Sequence, residues 1–187
     1  MALIFITGGV RSGKSSFAEK RATELAGAHG KSLSYIACGQ PSDPEMMSRI
    51  EHHKHQRDAN SVPWETVEAQ VDIGATVPNM NSDAIVLLDC LTTLLSNELF
   101  SDGDWSESSF QNRVKETIQH DISKIEKNCS TLIIVSNELG HEPLKSELVH
   151  VYARLLGELH QWIVKDADEA YLVEAGIPLR KKGEVSE

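Results

Sequence analysis

Leu3-Ile4-Phe5-Ile6-Thr7-Gly8-Gly9-Val10-Arg11-Ser12-Gly13-Lys14-Ser15 is the stretch from which the fold is read. Leu3 to Thr7 reads as a buried strand, and Ser16 to about Ala28 as a helix. The glycine-rich turn between them ends in Gly-Lys-Ser, the pattern of a Walker A phosphate loop. Gly8 and Gly13 permit backbone angles that side-chain-bearing residues avoid. Successive N–H groups of Gly8, Gly9, Val10, Arg11, Ser12 and Gly13 then curl round a phosphate at a helix N-terminus, where the dipole also favours an anion. Lys14 would reach the β- and γ-phosphates, and the Ser15 hydroxyl would ligate Mg²⁺. The alternative is a glycine-rich turn with no ligand; the strand before it and the helix after it argue against that.

Outward from the loop, apolar runs alternate with amphipathic segments. Strands are expected at Ser34–Cys38, Trp64–Val67, Ala84–Asp89, Thr131–Val135 and Ala170–Glu174. Helices are expected from Pro44 through the histidine segment, over Leu91–Leu99, over Trp105–Lys127 and from Leu144 to about Val164. Asp43 would cap the first of these and Pro44 start it. Val77–Asn81 reads as a loop, and the charged stretch from Arg180 as a frayed tail. Alternation of strands with helices predicts an α/β fold: a single P-loop NTPase-like domain over residues 1–187, with a mostly parallel central sheet and helices on both faces. The run Ile85-Val86-Leu87-Leu88-Asp89 is apolar until its final acid. That suits a fully buried parallel strand with a carboxylate at its C-terminal edge, where ligands bind in open α/β sheets. Asp89 would hold Mg²⁺ through water, opposite Ser15, or would only cap the next helix.

Composition narrows the function. The chain has 187 residues, 40 % of them apolar and 25 % charged, with a formal net charge of −10. Nucleic-acid binders generally carry a basic face, so no nucleic-acid partner is expected. A phosphate loop supplies its positive potential locally, so nucleotides are compatible with the acidic balance. No apolar run is long enough for a membrane span. The first strand begins at the third residue, so no secretory leader is expected. Cys38, Cys90 and Cys129 are isolated and lie near apolar runs, as buried free thiols of a cytoplasmic protein do. No guanine-reading Asn-Lys-x-Asp motif is present, which argues against a GTPase switch.

Arg49-Ile50-Glu51-His52-His53-Lys54-His55-Gln56-Arg57 concentrates histidine next to basic residues. Four readings compete. The segment could be a solvated helix face. His52 and His55, at i and i+3, could bind zinc, although no third ligand stands at recognisable spacing. An imidazolium could contact phosphate. A neutral imidazole could attack the α-phosphorus of a nucleoside triphosphate, forming a nucleotidyl-histidine and expelling pyrophosphate. Spacing does not choose among them.

Taken together, the phosphate loop, Tyr35-Ile36-Ala37, Arg49-Ile50-Glu51-His52-His53-Lys54, Leu87-Leu88-Asp89-Cys90-Leu91-Thr92, Ser96-Asn97, Ser136-Asn137-Glu138-Leu139-Gly140 and Ala175-Gly176-Ile177-Pro178-Leu179 resemble one family. It is the bifunctional adenosylcobinamide kinase / adenosylcobinamide-phosphate guanylyltransferase family of cobalamin biosynthesis. The resemblance implies phosphorylation of the aminopropanol hydroxyl of adenosylcobinamide by ATP or GTP. Transfer of GMP from GTP to that phosphate through a guanylylated histidine then follows. By the family pattern His52 is the nucleophile, and His53, Lys54, His55 and Gln56 line the bound nucleotide. Ala37, Cys38 and Gly39 carry its contacts after the second strand, Glu68 is the family's glutamate, and Asp89 its Walker B acid. The resemblance also implies a homo-oligomer, a trimer, with the site near a subunit boundary. This chain departs from the family after Gly140, which runs into His141-Glu142-Pro143, and at His160-Gln161, where the family has Asn-Gln. The departures fall on the corrinoid side of the pattern.

Overall fold

The computed structural model describes residues 1–39, 62–101, 103–139 and 146–183. The expected helix from Pro44, the histidine segment and Gly140 lie outside the described residues. Among the described residues, seven strands form one sheet: β1 (Ala2–Gly8), β2 (Leu33–Ala37), β3 (Trp64–Glu68), β4 (Ile85–Asp89), β5 (Thr131–Asn137), β6 (Glu169–Glu174) and β7 (Ile177–Lys182). Their spatial order is β3-β2-β4-β5-β1-β6-β7. Every neighbouring pair is parallel except β6–β7. The four described α-helices are α1 (Lys14–His29), α2 (Leu91–Leu99), α3 (Ser108–Glu126) and α4 (Glu147–Asp166). The predicted α/β architecture is therefore the observed one.

Alternation of side chains along the strands explains why the apolar runs are unbroken. Leu3, Phe5, Val86, Leu88, Leu132 and Ile134 face one side, packing with Leu91, Leu95, Ile118, Ile122, Leu155 and Leu159 of α2, α3 and α4. Ile4, Ile6, Ile85, Leu87, Ile133 and Val135 face the other, against α1. Helix α1 meets the sheet through Ala18, Ala22 and Ala26, all essentially inaccessible. Small residues at i, i+4 and i+8 bring its axis close to the strands. At its end the N–H of Gly30 bonds the Ala26 carbonyl.

Element boundaries moved where local side chains compete with the helix. Helix α3 begins at Ser108 rather than Trp105. Asp104 Oδ1 accepts from the Ser106 N–H and hydroxyl, and holds that stretch as a turn. Helix α4 begins at Glu147, capped by Ser146, whose hydroxyl accepts from the Val149 N–H. Part of the segment read as a loop at Val77–Asn81 belongs to a 3-10 helix, Ile73–Asn79.

The expected frayed tail from Arg180 is corrected through Lys182. Residues Ile177–Lys182 form the antiparallel edge strand β7. Arg180 lies over the Tyr171 ring and donates to its hydroxyl at 2.8 Å. Lys182 Nζ donates to the carbonyls of Val164 and Lys165 at the end of α4. The charges that suggested a loose end are anchored by these contacts. No helix among the described residues is long and apolar enough to cross a membrane.

Candidate active site: a phosphate loop at the carboxyl edge of the sheet

Gly8 ends β1, and the chain turns through Gly9–Gly13 into α1. The turn is tight enough to explain its spelling. Arg11 and Gly13 have positive φ, 58° and 90°. A Cβ on Gly13 would also approach Gly176 Cα to 3.2 Å, and one on Gly8 would collide with the Val173 carbonyl oxygen and Ser12 Oγ. Only glycine meets both demands at position 13. Val10 and Arg11 project outward, whereas Lys14 is buried, with its Nζ 3.1 Å from the Gly9 carbonyl oxygen. The ammonium is thus folded over the loop, at the start of a helix whose first N–H groups need acceptors. Ser15 stands beside it in the first turn.

A brace from the hairpin next to β1 fixes this loop. Strands β6 and β7 are joined by Ala175 and Gly176, with φ values of 49° and 80°. Positive φ at both central residues is the pattern of a type I′ hairpin turn. The Gly176 N–H donates to the Ser12 carbonyl at 2.8 Å. An Ala-Gly pair between Val173-Glu174 and Ile177-Pro178 is the signal by which this hairpin could have been found.

Asp89 lies at the same edge, on β4, separated from β1 by β5. Tyr35 donates its hydroxyl to Asp89 Oδ2 at 3.0 Å, which fixes the carboxylate. Ala37, Glu68 and Asp89 share one level across β3, β2 and β4: Ala37 pairs with both acids. Glu68 is exposed at the outermost strand. At about 4.8 Å per strand it stands roughly 19 Å from the loop-bearing strand, four strands away, against roughly 10 Å for Asp89. Cys38 turns a fully buried thiol inward, and burial together with the neighbouring Cys90 pushes its pKa well up, as suits an inert thiol. Its N–H bonds the Asp89 carbonyl, and its carbonyl accepts from Asn97 Nδ2, which also reaches the Gln70 carbonyl. Asn97 thereby ties the ends of β2 and β3 to α2. Gly39 follows at the described border. His52, His53, Lys54, His55 and Gln56 lie outside the described residues.

Ser136-Asn137-Glu138-Leu139, expected at the functional edge where β5 ends, lie there, and a hydrogen-bond network that the sequence does not reveal holds them. Ser136 is completely buried; its hydroxyl lies 2.7 Å from His160 Nε2 and 3.1 Å from Thr92 Oγ1. Thr92 Oγ1 accepts from the Asn137 N–H, and the Tyr152 hydroxyl donates to the Thr92 carbonyl. These bonds link the start of α2, the end of β5 and α4. His160 packs edge-on against Phe5, with ring centroids 5.0 Å apart. Burial depresses its pKa below the usual 6.5, only partly offset by the Glu138 charge.

A depressed histidine pKa fixes the sign of a pH effect. The unfolded chain takes up the proton first as pH falls below about 6.5, so folding stability drops until the folded-state pKa is reached. One such proton costs at most about 1.4 kcal/mol per pH unit. Denaturant melts from pH 7.5 to 5 are expected to show a steeper loss in the unsubstituted chain than in His160→Asn, the difference opening below about pH 6.5.

Known proteins resemble this chain over nearly its whole length. The family model described as cobinamide kinase / cobinamide phosphate guanyltransferase matches residues 4–181. The bifunctional adenosylcobalamin biosynthesis protein CobU of Escherichia coli (strain K12) is 32 % identical over 188 residues, covering 96 % of this chain and 99 % of that protein. The bifunctional adenosylcobalamin biosynthesis protein CobP of Pseudomonas aeruginosa is 36 % identical over 182 residues, covering 96 % of each. Among solved structures, an ATPase domain (TM-score 0.50, 12 % identity, 91 % of this chain and 68 % of that one) is similar in fold alone. So is the flagellar accessory protein FlaH from Methanocaldococcus jannaschii (TM-score 0.50, 13 % identity, 98 % and 79 %). A phosphate loop braced at the sheet's carboxyl edge, an acid fixed two strands away and a family match over nearly the whole chain lead to one assignment: the chain belongs to the cobinamide kinase / cobinamide phosphate guanyltransferase family.

Proposed function

We propose that this chain phosphorylates the aminopropanol hydroxyl of adenosylcobinamide with ATP or GTP. It then transfers GMP from GTP to the resulting phosphate, through a guanylyl-histidine at His52, giving adenosylcobinamide-GDP. The observation that carries the reading is the family match over residues 4–181, which contain an intact phosphate loop. In the kinase half, the loop N–H groups hold the nucleotide's phosphates, and Lys14 stabilises charge gathering on the transferred γ-phosphoryl group. In the transferase half, His52 attacks the α-phosphorus of GTP; the N–P bond forms as the bond to pyrophosphate breaks. His53, Lys54, His55, Gln56 and Glu68 line the nucleotide, with Ala37, Cys38 and Gly39 shaping its far side.

Ser15 and Asp89 offer a hydroxyl and a carboxylate, the hard oxygen donors that Mg²⁺ takes, and both stand at the carboxyl edge of the sheet. When bound, Mg²⁺ would neutralise phosphate charge. A homo-oligomer, a trimer by family resemblance, in the cytoplasm completes the reading.

The test is to supply adenosylcobinamide and GTP and to follow the corrinoid by mass. Conversion first to the phosphate and then to the GDP-linked product is expected. Nucleotide hydrolysis with the corrinoid unchanged would overturn the assignment and leave a small-molecule kinase acting on another acceptor.

A further inference from the structure

Glu68, Asp89, Glu138 and Glu174 stand at or just beyond the carboxyl ends of parallel strands. They differ in their distance from the phosphate loop. Glu68 is four strands from β1 and Asp89 two, whereas Glu138 follows β5, the immediate neighbour of β1 on the side facing Asp89. Glu174 follows β6, on the opposite side of β1. Only Glu138 among these acids sits between the loop and Asp89.

Its position is held from several directions. The Glu138 N–H donates to the carbonyl of Gly8, the first glycine of the loop, at 3.0 Å. Thr7, the last residue before that glycine, donates its hydroxyl to Glu138 Oε1 at 3.0 Å. The two preceding residues, Ser136 and Asn137, are bonded to His160 and Thr92. The backbone of Glu138 is thus fixed on both the β1 and α2 sides while the residue as a whole remains exposed. A carboxylate beside a polyphosphate is repelled by it, so anchoring one there costs binding energy. On the reading above, Asp89 would already serve Mg²⁺. What remains for a carboxylate fixed beside the phosphate loop, on an exposed residue, is the proton of the attacking hydroxyl.

Resting on the kinase reading above, we propose that Glu138 is the general base of the phosphoryl-transfer half-reaction. The acceptor's hydroxyl oxygen forms its bond to the γ-phosphorus as the β,γ-bridging P–O bond breaks. The nucleoside diphosphate leaves with that electron pair, and the hydroxyl proton passes to the Glu138 carboxylate. Thr7 is its positioning residue, since its hydroxyl orients Oε1 without touching substrate.

The half-reactions can be measured separately, and this makes the proposal testable. Kinase turnover is followed with adenosylcobinamide and ATP. Formation of the GMP adduct is followed with α-labelled GTP and no corrinoid. Glu138→Gln keeps the size of the side chain and removes its basicity. It is expected to lower kinase kcat by about 10²–10⁴-fold, with the KM for ATP changed less than threefold and adduct formation within threefold of the unsubstituted chain. Thr7→Val is expected to lower kcat by about tenfold, and Glu138→Asp to restore part of what Glu138→Gln loses. Kinase kcat retained in Glu138→Gln would overturn the proposal. So would a parallel loss of both half-reactions, which would make Glu138 a support of the loop. Absence of both reactions in the unsubstituted chain would instead overturn the functional reading beneath it.

Discussion

His52→Asn is expected to abolish the covalent GMP adduct while sparing phosphorylation of the corrinoid. Asparagine keeps polarity and approximate size but offers no nucleophilic nitrogen, so the loss is one of bond formation and not of binding. Removing a covalent nucleophile costs at least about 10³-fold in turnover. The label bound from α-labelled GTP should be acid-labile and base-stable in the unsubstituted chain, as a phosphorus–nitrogen bond is, and missing in the variant. Label retained in His52→Asn would remove His52 from the mechanism. Label missing from both chains would favour a plain kinase with solvated histidines.

Lys14→Ala carries the second large effect. Its ammonium is buried, bent over the loop and within 3.1 Å of the Gly9 carbonyl oxygen. A bound triphosphate offers it a stronger acceptor, and charge on the transferred group grows as the transfer proceeds. Loss of one such preorganised cation is expected to lower kinase kcat by about 10²–10³-fold. The GMP adduct should fall as well, because on the proposed reading the β- and γ-phosphates of GTP rest on the same loop. Melts without nucleotide separate this from misfolding, since the alanine variant should unfold near the temperature of the unsubstituted chain. Undiminished phosphoryl transfer would contradict the role given to the loop.

The sequence made some of this molecule plain and not the rest, for physical reasons. β1, β4 and β5 were legible because both faces of their strands are covered, so each apolar run is unbroken. The phosphate loop was legible because backbone geometry restricts its glycines. β7 was not, because an edge strand buries little, and its Arg180-Lys181-Lys182 run looks like a solvated end until Tyr171 and the end of α4 are seen to hold it. Glu138 was legible as part of the stretch that ends β5 at the functional edge, but the contact it makes was not. Its partner Thr7 is 131 positions away in sequence, and no local periodicity reports a bond across that distance. The histidine segment remains known from its spelling and from family resemblance.

The hairpin at Ala175-Gly176 has a consequence for biosynthesis. The loop between β1 and α1 is synthesised well before β5 and β6, yet β1 is walled by both strands, and Ser12 is pinned by Gly176. A growing chain cannot complete this loop until those later strands arrive. Such distant pairings form slowly and leave apolar edges uncovered in the meantime. Competence to bind nucleotide should therefore appear late and abruptly during translation, once residue 176 is free to fold back.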